Sequence, residues 1–234
     1  MKWVHPINPS ILHQAVREYD YPAQLFDFEK NRPIDFQTMR ELENYLRARL
    51  LSNNPRQVRF ALANIVYWGN VNSEYRLVRV ENFLGKVTED RIQRAIGIFR
   101  TIEGDGLVDI RRIGLPQFSN MSFVSKLRMF LDPNNYVTLD RKLLKLKKSN
   151  IRTFFHNVIE YPTYIPINEH NCEQYRIWSG KCKYTATNYF RDQGIIAADV
   201  ERGIFHLVDQ GDLDLAAKLV AYMPNLGETQ NPRD

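Results

Sequence analysis

Apolar residues return at helical spacing along most of this chain, and turn-forming residues cut the pattern into segments of ordinary helix length. Over 36–51, Met39, Leu42, Leu46 and Leu50 mark one face while Arg and Glu fill the other. Asn54-Pro55 opens a second helix, because a first-turn proline lacks only an N–H that would have no partner there. That helix carries Val58, Leu62, Ile65 and Val66 and ends near Trp68-Gly69. A third is expected over 75–84, and a fourth begins at Thr88 and carries Ile92, Ala95, Ile96 and Phe99. Glu103-Gly104-Asp105-Gly106 breaks the pattern, and Leu107-Val108-Asp109-Ile110 reads as a short strand or an extended connector. A turn-rich stretch from Gly114 to Asn120 leads into a helix over 122–131, stopped by Asp132-Pro133-Asn134-Asn135. Residues 136–140 read as an extended loop feeding another helix. The last third is helical over 169–189, with Cys172, Tyr175, Trp178, Cys182 and Ala186 on one broad face. Two more helices follow, one from about Ala198 with Asp199 as its cap and one from Leu213 with Asp212 as its cap. The fold class expected is mainly α.

At 234 residues with 44% apolar content, 12 Tyr and 13 Phe, the chain can bury a substantial core. The expected organisation is an irregular N-terminal arm over 1–35, packed on the body and interrupted by Pro6, Pro9, Pro22 and Pro33, with room for one helix near 11–19. A single helical domain over 36–223 and a polar tail over 224–234 complete it. No apolar run reaches the ~18 residues of a membrane span, and Met1-Lys2-Trp3-Val4-His5-Pro6 lacks the apolar centre of a secretory signal. A cytoplasmic protein with Cys172 and Cys182 reduced is therefore expected. Ten positions separate those cysteines, which does not suit a zinc knuckle, and His5, His13, His156, His170 and His206 show no ligand spacing. No metal and no cofactor are called for.

The net charge of +5 and a pI near 9.1 favour nucleic acid only slightly. The distribution says more: Arg141, Lys142, Lys145, Lys147, Lys148 and Arg152 follow the extended loop within a dozen residues. Such a run is either a solvated helix face or a phosphate-binding surface.

Gly114-Leu115-Pro116-Gln117-Phe118-Ser119-Asn120-Met121-Ser122-Phe123-Val124-Ser125-Lys126 resembles a degenerate helix-hairpin-helix motif. Leu131-Asp132-Pro133 through Val137-Thr138-Leu139-Asp140 is similar to the loop that ends in the catalytic aspartate of the helix-hairpin-helix DNA glycosylase superfamily. The step from Asp132 to Asp140 resembles the 8-oxoguanine DNA glycosylase branch. The segments Tyr175–Cys182 and 198–205 are similar to small bacterial proteins with an 8-oxoguanine glycosylase-like fold. The resemblance spans roughly 55–210 and is specific only between Gly114 and Asp140. It implies a glycosylase-like helical bundle, with two lobes and a cleft as one arrangement. In this chain Asn120-Met121-Ser122 occupies the place taken as the family's Gly-apolar-Gly, with Asn120 as the residue best able to adopt a left-handed turn. Aligning the hairpins sets Val124 or Phe123 at the family's nucleophilic lysine, two or three positions before Lys126.

The resemblance implies base excision from double-stranded DNA, damaged or modified, by a monomer acting in repair or phage defence. Asp140 would meet the cation-like sugar or activate water; read from the residues alone, it caps the basic helix, and the two roles are compatible. Lys126 is the secondary catalytic candidate, an amine nucleophile if burial or Arg128 lowered its pKa; otherwise it is a solvated or phosphate-contacting side chain. Ser119, Asn120, Met121, Ser122, Phe123 and Ser125 would present backbone N–H groups and hydroxyls to a phosphate, with Arg141, Lys142 and Lys145 beside them. Tyr67, Trp68 and Phe118 are candidates for stacking a base, with Met121 as a wedge; each is otherwise a core residue. Two alternatives stand beside the enzyme: a non-catalytic DNA-binding hairpin protein, and a helical protein-interaction factor.

Overall fold

The computed structural model describes residues 9–224. The polar tail beyond Pro224 and the stretch Met1–Pro6 with His5 lie outside them; Pro224 itself is buried. The mainly α expectation holds. Ten α-helices are α1 (Pro9–Arg17), α2 (Met39–Leu50), α3 (Pro55–Trp68), α4 (Arg76–Lys86), α5 (Glu89–Thr101), α6 (Leu107–Arg112), α7 (Met121–Leu131), α8 (Glu169–Tyr189), α9 (Ala197–Gln210) and α10 (Leu213–Tyr222). The two strands, β1 (Gln24–Asp27) and β2 (Arg32–Asp35), form one antiparallel hairpin in which Leu25 faces Ile34.

Capping explains where several helices begin. Thr38 accepts a hydrogen bond from the Glu41 N–H, Asn54 from Arg56, Thr88 from Arg91, and Asn168 from Asn171. Two helices are the hubs. The buried face of α3 packs on α2, α4, α5, α7 and β1, while α9 packs on α1, α8 and α10. Both contribute to one apolar core, in which Trp178, Tyr175, Phe83, Phe118 and Phe130 are fully buried.

Residues 9–35 pack on the body as expected, with α1 near the place left for a helix, but the part after it is a β-hairpin and not irregular. Leu12 and Ala15 of α1 are buried against α9, and Leu25 of β1 against α3. The hairpin turns where Asp27 accepts from the Glu29 and Lys30 N–H groups and Asn31 takes φ +51°. Residues 107–112 form a short helix rather than a strand or connector. Leu107 and Ile110, three apart, are the buried pair, whereas Val108 is exposed. Asp199 is not the cap of its helix. It sits at the third helical position and accepts from the Ile196 N–H. Asp212 holds the cap position of α10 without a side-chain hydrogen bond to it. Lys145, Lys147 and Lys148 of the basic cluster lie on a six-residue 3₁₀ turn, Leu143–Lys148, instead of an α-helix, with Leu143, Leu144 and Leu146 all buried and Arg141, Lys142 and Arg152 outside the turn.

Candidate functional site

A cavity of about 300 Å³ opens where the end of α3, α7, α9 and the Tyr19–Tyr21 segment meet. Tyr19, Tyr21, Trp68 and Phe205 supply aromatic walls, Lys126, Asp140 and Glu201 the charged floor, and Asn72 and Ser73 the mouth. The size suits a small planar ligand, and such a mixture of rings with few polar groups is typical of ligand sites.

Asp140 is set in place by a chain of hydrogen bonds. After α7 ends, Val137 and Leu139 point into the core and are fully buried. Alternation then turns Thr138 and Asp140 to the cavity side. The Tyr175 hydroxyl and the Trp178 indole of α8 donate to the Val137 and Thr138 carbonyls, both at 3.0 Å. From α7, Ser125 Oγ accepts from the Leu139 N–H at 3.0 Å and itself donates to the Ser122 carbonyl. The buried face of α8 thus positions the aspartate from behind.

Lys126 Nζ forms a short ion pair with Asp140 Oδ2 and also reaches the Ser122 carbonyl at 3.4 Å. Its side chain is 8% exposed and that of Asp140 25%, so the lysine is not a solvated surface group. Asp140 Oδ1 accepts from the Lys142 N–H at 3.0 Å, so the carboxylate also caps the turn that follows it. Burial alone would raise the Asp140 pKa, but the Lys126 charge and hydrogen bond, with the Lys142 N–H, bring it below the usual carboxylate value. Space for the lysine comes from Gly69: a Cβ there would stand 3.2 Å from Lys126 Cδ and 3.0 Å from the Phe123 ring. Arg128 takes no part, because it donates to the Gly104 carbonyl and stacks on Tyr136.

Glu201 of α9 is 5% exposed and has no hydrogen-bond partner among the described residues. Burial pushes its carboxyl up to about 8, against the attraction of Arg202 and Lys126, and Asp140 adds to the rise. Across the mouth, Lys142 pairs with Asp209 and lies over the Phe205 ring at 4.8 Å.

No family model, curated protein or solved structure matches this chain.

Of the residues singled out in the sequence, Lys126, Asp140, Lys142 and Trp68 meet at the cavity. The others do not. Tyr67 is buried under the Arg76 guanidinium, 3.3 Å from its ring centroid, and donates to Gln24. Phe118 and Met121 are fully buried, Phe118 edge-on to Phe83 and Phe123. Neither base-stacking by Phe118 nor a Met121 wedge fits that burial. The start of α7 is not an open anion site, because the Met121 N–H donates to the Ile165 carbonyl and the Phe123 N–H to Asn120 Oδ1. Asn120 is an N-cap in extended conformation, φ −127°, and the left-handed residues of the turn are Gly114 and Gln117, at φ +74° and +69°. Ser125 is fully buried and structural. Ser119, Arg141 and Lys145 are exposed, whereas Lys147 is tied to Glu160 and the Val158 carbonyl.

Tyr19, Tyr21, Glu201 and Phe205 were missed as site residues. A signal was present for the last two: spacing of four places Glu201 and Phe205 on one helical face. Among the described residues, no group of three or more His, Cys, Asp or Glu side chains could hold a metal ion, and no helix is long and apolar enough to cross a membrane. Both cysteines are buried free thiols.

Proposed function

We propose that this chain is a DNA glycosylase of the helix-hairpin-helix superfamily, which takes a damaged or modified base into the aromatic cavity and breaks its glycosidic bond. The observation that carries this reading is the buried Lys126–Asp140 pair on the floor of a cavity of about 300 Å³ walled by four aromatic side chains. The helix, hairpin and helix correspond to α6, the turn from Gly114 to Asn120, and α7. The two lobes correspond to the helices gathered on α3 and those gathered on α9, with the cavity between them.

In this reading the rings stack a base rotated out of the duplex. Asp140, held ionised by Lys126, lies where positive charge grows on the sugar as the bond to the base lengthens. Lys126 gives its proton to the leaving base, and its free amine attacks the anomeric carbon. The base departs with the bonding pair; a nitrogen proton then passes to O4′ as the C1′–O4′ bond breaks, and the opened sugar stays joined to Lys126 as a protonated imine. Exposed Arg141 and Lys145, which follow Asp140 in the chain, contact phosphate; the N-terminus of α7, already bonded within the protein, does not.

The test is incubation with a panel of damaged and modified duplexes, followed by abasic-site detection and borohydride trapping. Wild type should release a base and form a reducible covalent adduct. Lys126→Gln should lose the adduct, and Asp140→Asn should slow release by roughly 100-fold or more while still binding duplex. Binding without any abasic product across the panel would overturn the reading in favour of a non-catalytic DNA-binding protein.

A further inference from the structure

We propose that Glu201 is the base-reading residue of this pocket, pairing its carboxyl with the edge of the bound base through two parallel hydrogen bonds, one given and one received. The inference rests on the base-excision reading of the same cavity and adds the feature of the base that the cavity recognises.

Glu201 is the one acid at the cavity that the protein leaves unanswered among the described residues. Asp140 is bound by Lys126 and by the Lys142 N–H, and Asp209 by Lys142. The next residue, Arg202, turns to the other side of α9 and is met by Glu43 and Asp199. Glu201 lines the cavity at 5% exposure with neither a cation nor a donor within hydrogen-bond distance. A buried polar group without a partner is costly, and a ligand that supplies the partner recovers that cost on binding.

Its chemistry follows from its surroundings. The titratable groups close enough to act on Glu201 electrostatically are Lys126 from α7, Asp140 from the extended segment, Tyr19 from the segment after α1, Cys182 from α8 and, although its side chain is turned to Glu43 and Asp199, Arg202 from its own helix. Lys126 is already engaged by Asp140, so no free positive charge holds Glu201 ionised. At neutral pH it is a carboxylic acid, with an O–H donor beside a carbonyl acceptor. That pair complements an amide edge, N–H beside C=O, or an amidine edge, NH₂ beside ring nitrogen. Every nucleobase carries such an edge, whereas the deoxyribose and the phosphodiester within a DNA strand have no hydroxyl to donate and offer none. Phe205, one turn along α9, is placed to stack on the ring whose edge Glu201 holds.

Two variants separate this role from packing. Glu201→Gln keeps one donor beside one acceptor, and Glu201→Ala keeps neither. In base-release assays, wild-type kcat/KM should hold at neutral pH and fall as pH rises through about 8, where Glu201 ionises. Glu201→Gln should stay within a few-fold of wild type at pH 7 and lose that alkaline limb. Glu201→Ala should fall at least ~10-fold, about the worth of a lost hydrogen-bonded pair, while still unfolding in one cooperative transition. A wild-type limb retained in Glu201→Gln, or an unaffected Glu201→Ala, would overturn the proposal. A second readout is independent of excision: saturation-transfer NMR with free adenine, cytosine and uracil. Binding by wild type and Glu201→Gln, lost in Glu201→Ala, supports base reading even if no duplex is processed, in which case only the glycosylase reading falls. Absence of binding together with absence of excision overturns both.

Discussion

Glu201 and Arg202 are neighbours on α9, and both are buried, yet their surroundings are opposite. Arg202 sits in a closed cluster: one nitrogen bonds Glu43, another bonds Asp199 at 2.9 Å, and Arg40 binds Asp199 from outside at 2.8 Å. Burial alone would lower the Arg202 pKa, but Glu43, Tyr19 and Asp199 raise it instead. Glu201 looks into open space, with its proton retained to about pH 8. A buried charge that the fold meets with opposite charge holds α9 to α2, even though Glu43 Oε2 is left without a hydrogen bond. One that the fold leaves without a cation beside it is a place for something else to bind. Charge content does not distinguish the two regions; the presence of a directly bonded counter-charge does.

The largest effect should come from breaking the closed cluster. Arg202→Ala strands the Glu43 carboxylate, which is 0% exposed, without its main partner. Removing one member of a buried pair costs about 3–5 kcal/mol, and urea unfolding should show a loss of that order. A change below ~1 kcal/mol would show that the cluster is not the clamp its geometry suggests.

The open side should respond with the opposite sign. The Glu201 carboxyl is raised from its ordinary 4.5 to about 8 in the folded chain. Between those values the folded state holds a proton that the unfolded state has released. The stabilising effect of that proton is therefore complete below about pH 4.5 and lost as pH climbs through 8. Glu201→Gln cannot ionise, so its stability relative to wild type should improve from pH 5 to pH 9, by an amount on the order of 2–4 kcal/mol. Thermal or urea unfolding across that range checks it, and a difference independent of pH would mean that Glu201 is already ionised at neutrality. Deleting a charge thus destabilises one region and stabilises the other.

The comparison also explains which parts were legible in advance. Helices such as α3 and α8 follow from capping residues and an apolar face, both local properties, and their ends fall close to where the sequence placed them. The hairpin β1–β2 escaped because four-residue strands give too little alternation to read. Leu107–Ile110 escaped because a four-residue apolar run fits a strand as well as one helical turn. At the site, Asp140 could be picked out through the resemblance and its place ahead of the basic run, and Trp68 because it stands beside Gly69. The pairing of Lys126 with Asp140 could not be, since it depends on the path of the chain over a separation of 14 positions, on Ser125 gripping Leu139, and on Gly69 leaving room. Tyr19 and Tyr21 reach the cavity only because α1 is packed on α9, a tertiary fact with no local trace.

The smallest effect concerns how α7 delivers Lys126 to the open side. Gln117 turns the chain into that helix at φ +69°, a conformation that strains a residue with a Cβ. Gln117→Gly removes the strain in the folded state but gives the unfolded chain more freedom, so the two effects partly cancel. A net gain of about 0.5 kcal/mol is expected. The substitution leaves the cavity untouched, because Gln117 does not line it. If the Gly114–Asn120 turn serves only to set the entry of α7, the base release proposed for this chain should be the same in Gln117→Gly and wild type while unfolding shifts slightly upward. A loss of excision with unchanged stability would instead show that the strained turn is held for a contact made outside the chain. The hairpin would then join the open region as part of the site.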